Sequence, residues 1–555
     1  MNKIKLEILN CLKPFYGVNN VKIYLTDYQY GDYAINAPFV ISKQNNISPY
    51  SYYETVRNDL MRCEYIDEVT FLNGYINVRL NGHKLAETIL DDEVTLSFEK
   101  KSETNKLVLI EAMTHNLSKP FSIEDFRSAS YGMTIKKLLE RTNCDVITDN
   151  HFCDYSIPFG IFATGYELLS NETMLKNNGI YELERISNEL RKKLKFENIF
   201  GETKLARTVE MWDNSLINGD SKAKEYYDLF YDIMLNHMHS VMKKIGVFVD
   251  SEHGETLYIE DAKKIVDDCI KNKLAEVTLD NTVIVDLKNA GIETPIILRK
   301  SSGKITCYSI DLATMLRRKK TYNPHTYIYC SNENHQLYFQ KIFTFADDLG
   351  IKENKYLLSY SNINIQNYEK IKSDDCDTIY FEDILQYTKN YFCSLFNDIN
   401  DEDVLKYALG AIRFQNFSQS FNKCYTISFD SLFSKNSFNA FTIQNCIIKI
   451  KDIINNSKVM ETDSVLLDDC TYENEKRMLL KVYEYKELIS KISINYHFNS
   501  LTNYLYELSQ IVNQYIKDTS GTYNNFSIIC LLKKVLEVFI DGLDILGIDI
   551  PERML

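Results

Sequence analysis

Apolar and polar positions fall into three patterns along the chain. Between residues 65 and 80 they alternate on either side of Asn73-Gly74, which predicts a β-hairpin. Residues 97–106 are polar and read as a linker. Leu107-Val108-Leu109-Ile110 is a short apolar run suited to a buried strand. A helix is predicted over residues 122–141, with Phe126, Met133 and Leu138 near helical spacing, and Cys144-Asp145-Val146-Ile147 reads as the next strand. Strand, helix and strand make a βαβ unit, the building block of a parallel sheet. Ala262, Ile265, Val266, Cys269 and Ile270 share one face of a second helix. Val283-Ile284-Val285, Ile296-Ile297-Leu298 and Tyr327-Ile328-Tyr329 read as strands, and residues 336–349 as a helix. This alternation predicts an open α/β sheet. From about residue 381 the pattern is helical, and the stripe Ile528, Leu531, Leu532, Val535, Leu536 and Phe539 is the core face of a bundle. The pattern predicts three domains, at 1–95, 106–385 and 386–555. No repeat at solenoid spacing occurs.

Composition narrows the class. The 555 residues are 45% hydrophobic and 25% charged, which is globular and excludes a disordered or collagen-like chain. The net charge of −14 excludes a broad basic footprint for nucleic acid or an anionic membrane, and leaves room for one local patch. Thirteen scattered cysteines without a CxxC pair give no support to a zinc ribbon or thioredoxin-like site, and fit a reducing compartment. Glu7 interrupts any signal-peptide core, and no apolar run reaches the ~20 residues of a membrane helix. The expected location is cytoplasmic, with no membrane partner.

Residues 110–160 (IEAMTHNLSKPFSIEDFRSASYGMTIKKLLERTNCDVITDNHFCDYSIPFG) resemble the start of the catalytic domain in arginyl-tRNA synthetases, particularly the eukaryotic-like form. Four further stretches agree in order: Gly31-Asp32-Tyr33-Ala34-Ile35-Asn36 with Gly74-Tyr75-Ile76-Asn77, residues 299–313 (RKSSGKITCYSIDLA), Glu382-Asp383-Ile384-Leu385, and residues 546–554 (LGIDIPERM). The resemblance implies a Rossmann-type α/β catalytic domain, an N-terminal α+β domain that touches tRNA, and a C-terminal all-α bundle of the anticodon-binding type. It implies that ATP and arginine form arginyl-adenylate and that arginine then passes to tRNA, a displacement that depends on positioning and charge neutralisation.

The signature motifs depart from the family pattern. Where members carry His-x-Gly-His, this chain has Ser122, Ile123, Glu124 and Asp125, a degenerate nucleotide motif that loses both imidazoles and gains two carboxylates. At an effective dielectric near 20, a unit charge pair ~4 Å apart costs about 4 kcal/mol, roughly three decades of affinity. The same residues read as a helix cap, with Ser122 and Asp125 as a capping box. The second signature, Lys-Met-Ser-Lys, aligns with residues 370–376, where Lys370 or Lys372 would reach phosphate beside Asp374 and Asp375; Lys119 matches the lysine that some members use instead. The resemblance places Glu111, Asn116 and Asp311 in an arginine pocket, since carboxylates suit a guanidinium. The pocket tyrosine aligns with Cys307, with Tyr308 adjacent, and the pocket glutamine aligns near His335. No metal site is expected.

Three readings stay open. The chain is a diverged or catalytically impaired relative that keeps an arginine-type pocket; or a pseudo-synthetase that binds tRNA, arginine or a protein as a regulatory or accessory subunit; or a working ligase with atypical motifs. Its partners are arginine or a related amino acid and, through the N- and C-terminal domains, tRNA. An active form uses ATP with magnesium, and the pseudo-synthetase needs no cofactor.

Overall fold

The computed structural model describes residues 3–12, 20–90, 106–197, 203–366, 371, 379–396, 399–434, 437–457, 473–519 and 526–552. In chain order the first part holds α1 (Lys3–Cys11), β1 (Ile23–Leu25), β2 (Tyr33–Ile35), α2 (Ala37–Asn45), α3 (Pro49–Met61), β3 (Ile66–Leu72), β4 (Tyr75–Leu80) and α4 (Gly82–Leu90). Its antiparallel sheet has the order β1-β2-β4-β3. Asn73 and Gly74, at φ 52° and 82°, close the predicted hairpin with the two left-handed residues that match strand twist.

The middle part opens with β5 (Val108–Glu111), α5 (Ile123–Arg141) and β6 (Val146–Phe152), the predicted βαβ unit. Five helices that the apolar pattern did not resolve follow: α6 (Phe159–Leu169), α7 (Glu172–Asn178), α8 (Ile180–Glu197), α9 (Lys204–Ile217) and α10 (Ser221–Lys244). Then come β7 (Ser251–Gly254), α11 (Ile259–Lys271), β8 (Glu276–Val277), β9 (Val283–Val285), β10 (Ile296–Arg299), α12 (Cys307–Tyr322), β11 (Thr326–Asn332), α13 (Gln336–Asp348) and β12 (Asn354–Tyr360). Strands β12-β11-β5-β6-β7 form one parallel sheet. Its order turns between β5 and β11, and in such sheets ligands bind at the carboxyl ends of the strands beside that switch point.

Two strand expectations change. The predicted strands at 283–285 and 296–298 exist, but they pair antiparallel with each other and with β8, outside the parallel sheet. The connection over residues 286–295 is too short for a parallel crossover, which takes a dozen or more residues. The strand expected at 144–147 runs instead from Val146 to Phe152. Its second half is polar yet buried: Thr148, Asp149, Asn150 and His151 are each at most 3% exposed. Alternating hydrophobicity cannot reveal a strand whose inner residues are held by polar partners.

The last part holds α14 (Phe381–Leu395), α15 (Asp401–Ser418), α16 (Ala440–Asn456), α17 (Glu473–Asn495), α18 (Asn499–Asp518) and α19 (Phe526–Ile545). The chain divides into two compact units. One joins residues 1–99 to 435–544 and 550–555; the other spans 100–434 with 545–549. The α14 and α15 segments thus belong with the parallel sheet, beyond the boundary near residue 385 expected from sequence. In the first unit, Lys5 donates to Glu484 at 2.6 Å, and Lys476 meets Asp32 at 2.7 Å. In the second, the buried guanidinium of Arg413 donates to the carbonyls of Gly547 and Ile245. No helix among the described residues is long and apolar enough to cross a membrane.

Helix α5 sits directly on the end of β5. A Cβ added to Gly132 would lie 2.3 Å from the Cβ of Ala112 and 2.5 Å from its Cα. Overpacking against backbone costs about 1–3 kcal/mol. Gly132→Ala is therefore expected to lower stability by that amount in urea unfolding, and Ala112→Gly in the same chain is expected to recover part of it.

Candidate active site

The switch point carries an ionic cluster. Arg318, two turns beyond Asp311 on α12 and 2% exposed, donates from Nε to Asp149 Oδ2 at 2.8 Å and from Nη1 to Glu111, and also reaches the carbonyl of Asp149. Glu111 closes β5, and its other oxygen accepts from Thr114 at 2.6 Å. His151, at the end of β6, stands between two carboxylates: Nδ1 is 3.0 Å from Glu111 and Nε2 is 3.1 Å from Asp311. The second oxygen of Asp311 accepts from the Tyr338 hydroxyl at 2.6 Å.

Each charge is set by its neighbours. Burial opposes ionisation of Glu111, but His151 and Arg318 outweigh it and hold the carboxyl near 2. Burial likewise opposes protonation of His151, and Glu111 with Asp311 raises it to about 10. Glu255, directly after β7, is pushed up to about 7 by burial and by Asp311, against the pull of His151. Four carboxylates, those of Glu111, Asp149, Glu255 and Asp311, thus face two cations, Arg318 and His151. The unmatched negative charge lies at Asp311 and Glu255, which line a cavity of about 400 Å³.

At the other side of this cavity is the start of α5. Ser122 caps the helix: its Oγ accepts from the Asp125 N–H at 3.1 Å, and its own N–H donates to Asp125 Oδ2 at 2.8 Å. Both bonds of the capping box expected from the sequence are present. Burial works against the Asp125 charge, but His115, with Nδ1 3.2 Å away, and Ser122 hold its pKa below the ordinary value. Desolvation and Asp125 raise the pKa of Glu124.

Of the residues predicted for ligand contact, Asn116, Asp311, His335, Ser122, Glu124 and Asp125 line the one cavity. His335 is exposed, with Nδ1 2.9 Å from the Ser331 hydroxyl, and Asn116 accepts from the Ser118 N–H at 3.1 Å and its Oγ at 2.8 Å. Glu111 is not on the cavity wall; its oxygens are taken by Arg318, His151 and Thr114. Tyr308 packs against Tyr338, ring centroids 4.4 Å apart, behind the wall. Lys119 is exposed and off the wall. Lys370 and Lys372 lie outside the described residues. The sequence reading missed His151, Glu255, Arg318 and Tyr338. Arg318 was detectable, since a spacing of seven puts it on the same helix face as Asp311. Glu255 had no such signal.

A parallel sheet with its cavity at the switch point, a helix N-terminus on one side and a long helical insertion after the second strand is the architecture of class I aminoacyl-tRNA synthetase catalytic domains, and comparison with known proteins agrees. Residues 86–419 match the family model for the catalytic domain of class I tRNA synthetases (R), residues 2–80 the arginyl tRNA synthetase N terminal domain, and residues 443–554 the DALR anticodon binding domain. The chain belongs to the arginyl-tRNA synthetase family. It is 24% identical to an arginine--tRNA ligase of Halothermothrix orenii, over 94% of each chain, and 25% identical to one of Fusobacterium nucleatum, over 95% of this chain and 94% of that one. The arginyl-tRNA synthetase of Thermus thermophilus has a similar fold, with a TM-score of 0.77 at 16% identity over the whole of both chains; that of Plasmodium falciparum gives 0.72 at 16%, over 99% and 98%.

Two predictions follow from the cluster. Removing one partner of a buried ion pair costs about 3–5 kcal/mol, so Arg318→Met is expected to destabilise the catalytic unit by that amount in chemical denaturation. For pH, the depressed Glu111 contributes stability that is complete above its ordinary value of 4.5 and lost as pH falls towards about 2. The raised His151 contributes stability that is complete below 6.5 and lost as pH rises through about 10. Thermal melts are expected to show a decline from pH 6.5 to 10, and His151→Gln is expected to flatten it.

Proposed function

We propose that this chain is a diverged, catalytically impaired arginyl-tRNA-synthetase-type protein that keeps a pocket for arginine and has altered its nucleotide side. The observation that carries the reading is the closed cap of α5. A helix N-terminus binds phosphate through free N–H groups and the positive end of the dipole. Here the Ser122 N–H is already donated to Asp125, and Glu124 and Asp125 add negative charge beside the path a triphosphate would take. The residues at this helix end do not fit a triphosphate. Full-length similarity to proteins named arginine--tRNA ligase supports the family reaction as the ancestral one, with ATP and magnesium as its nucleotide and tRNA as the acceptor.

The other side suits the amino acid. Asp311 and Glu255 offer carboxylates to the planar fork of a guanidinium, and Asn116 and Thr114 supply polar groups on the same wall. His151 and Tyr338 orient Asp311. The unmatched negative charge supports a cationic side chain over a neutral one.

Calorimetry and ATP–pyrophosphate exchange with the full chain test this. Arginine is expected to bind, Asp311→Asn is expected to weaken it about tenfold or more, and exchange is expected to be slow. Exchange as fast as in a working ligase would overturn the impairment, and absence of arginine binding would overturn the pocket. The triple change Ser122→His, Glu124→Gly and Asp125→His is expected to raise ATP affinity about tenfold, a fraction of the unscreened charge effect because Glu124 is exposed.

A further inference from the structure

The ionic cluster leaves one carboxylate out. Arg318 is taken up by Glu111 and Asp149, and the two ring nitrogens of His151 by Glu111 and Asp311. Glu255 is 3% exposed and has no ion-pair partner among the described residues. Its side chain accepts a hydrogen bond from the Cys153 thiol, a weak donor. An Asp311 oxygen and a His151 nitrogen both lie within 4.8 Å of a Glu255 oxygen, but that imidazole is already shared between two other acids. A buried carboxylate without a cation of its own sheds its charge by taking a proton.

We propose that Glu255 holds a proton in the free protein and releases it to solvent when a cationic side chain enters the cavity beside Asp311, so that uptake of arginine exchanges one positive charge for another. The inference rests on the arginine reading of this cavity and adds its linkage to pH. Only the Glu255 O–H bond breaks; the proton goes to water or buffer, and the guanidinium takes its place. The net charge of the buried wall is therefore the same before and after binding. A neutral isostere brings no charge and leaves the proton where it is.

The surroundings support the exchange. Burial and the Asp311 charge push the Glu255 carboxyl up to about 7. An opposite charge within about 4–6 Å favours the ionised form, and a guanidinium fork offers donors to both acids. The other groups facing Glu255 keep their state near neutral pH. His151, on β6, is raised to about 10, and Cys307, on α12, to about 11. Cys153 and Tyr155, after β6, and Tyr338, on α13 beside Asp311, are also raised. Asp154, in the segment after β6, accepts from the Thr256 N–H at 2.9 Å and its hydroxyl at 2.7 Å. Glu124 and His335 line the same cavity and are the other groups to control for.

The test is calorimetry of arginine binding to the full chain, at pH 6 and pH 8, each in two buffers of different ionisation enthalpy, which yields the number of protons released. For a group titrating near 7, release of about 0.9 proton is expected at pH 6 and about 0.1 at pH 8, with affinity about tenfold higher at pH 8. Glu255→Gln is expected to abolish the release and to flatten the affinity between these pH values. Glu124→Gln and His335→Gln are expected to keep the release. Citrulline, the neutral isostere with the same α-amino and carboxyl groups, is expected to bind at least tenfold more weakly at pH 8 and without this proton. Arginine binding with no release at pH 6 overturns the proposal, and so does a release that survives Glu255→Gln or is equalled by citrulline. Those outcomes leave the arginine pocket standing, whereas absence of binding at both pH values removes the pocket and the exchange together.

Discussion

The buried guanidinium of Arg318 makes the site possible. Parallel strands β5 and β6 carry Glu111 and Asp149, two carboxylates out of water at the centre of the sheet. Left alone they would repel one another and pay the desolvation of both charges. Arg318 comes across from α12 and bonds to both. Glu111 can then stay ionised and support His151, and His151 in turn meets Asp311 at the cavity rim. Charge is thus passed outward from the core, and the outermost acids are left for something the chain does not itself supply.

The two walls of the cavity express opposite electrostatic choices. At the strand ends, carboxylates outnumber the cations that hold them. At the start of α5, the Ser122 hydroxyl and the Asp125 carboxylate accept two N–H groups of the helix end, and Glu124 and Asp125 complement its dipole. The second choice is good for the helix and poor for an anion. Helix stability and phosphate affinity draw on the same N–H groups, and Ser122 with Asp125 assigns them to the helix.

The hairpin at Asn73-Gly74, the βαβ unit, the cap of α5 and the place of Asp311 were all legible in the sequence. They rest on local rules: turn residues with positive φ, apolar runs of strand length, cap spacing, and a motif. The polar half of β6 was not legible, because Asp149, Asn150 and His151 are buried by partners distant in sequence, among them Arg318 and the Ala112 N–H. Glu255 was hidden for a related reason. Its position follows from the pairing of Phe152 with Gly254, made only after the chain has passed through α6 to α10. The short strands β9 and β10 were seen as strands but assigned to the wrong sheet, since periodicity reports a strand and says nothing of its neighbour. Lys370 and Lys372 stay outside the described residues, so the sequence remains the sole source for that signature.

The contacts of Arg413 bear on how this protein can be cut. Its guanidinium is buried, and one of its carbonyl partners, Gly547, comes from the last stretch of the chain. Residues 545–549 belong with the sheet-containing unit although α19, just before them, belongs mostly to the other. The unit is therefore discontinuous in sequence. A fragment ending at residue 434 would contain every strand of the parallel sheet and every residue of the cavity, yet would leave a charged group in its interior facing a missing acceptor. Excision of the catalytic part as one piece of chain therefore removes one of the two carbonyl partners of Arg413 and leaves it the other, that of Ile245.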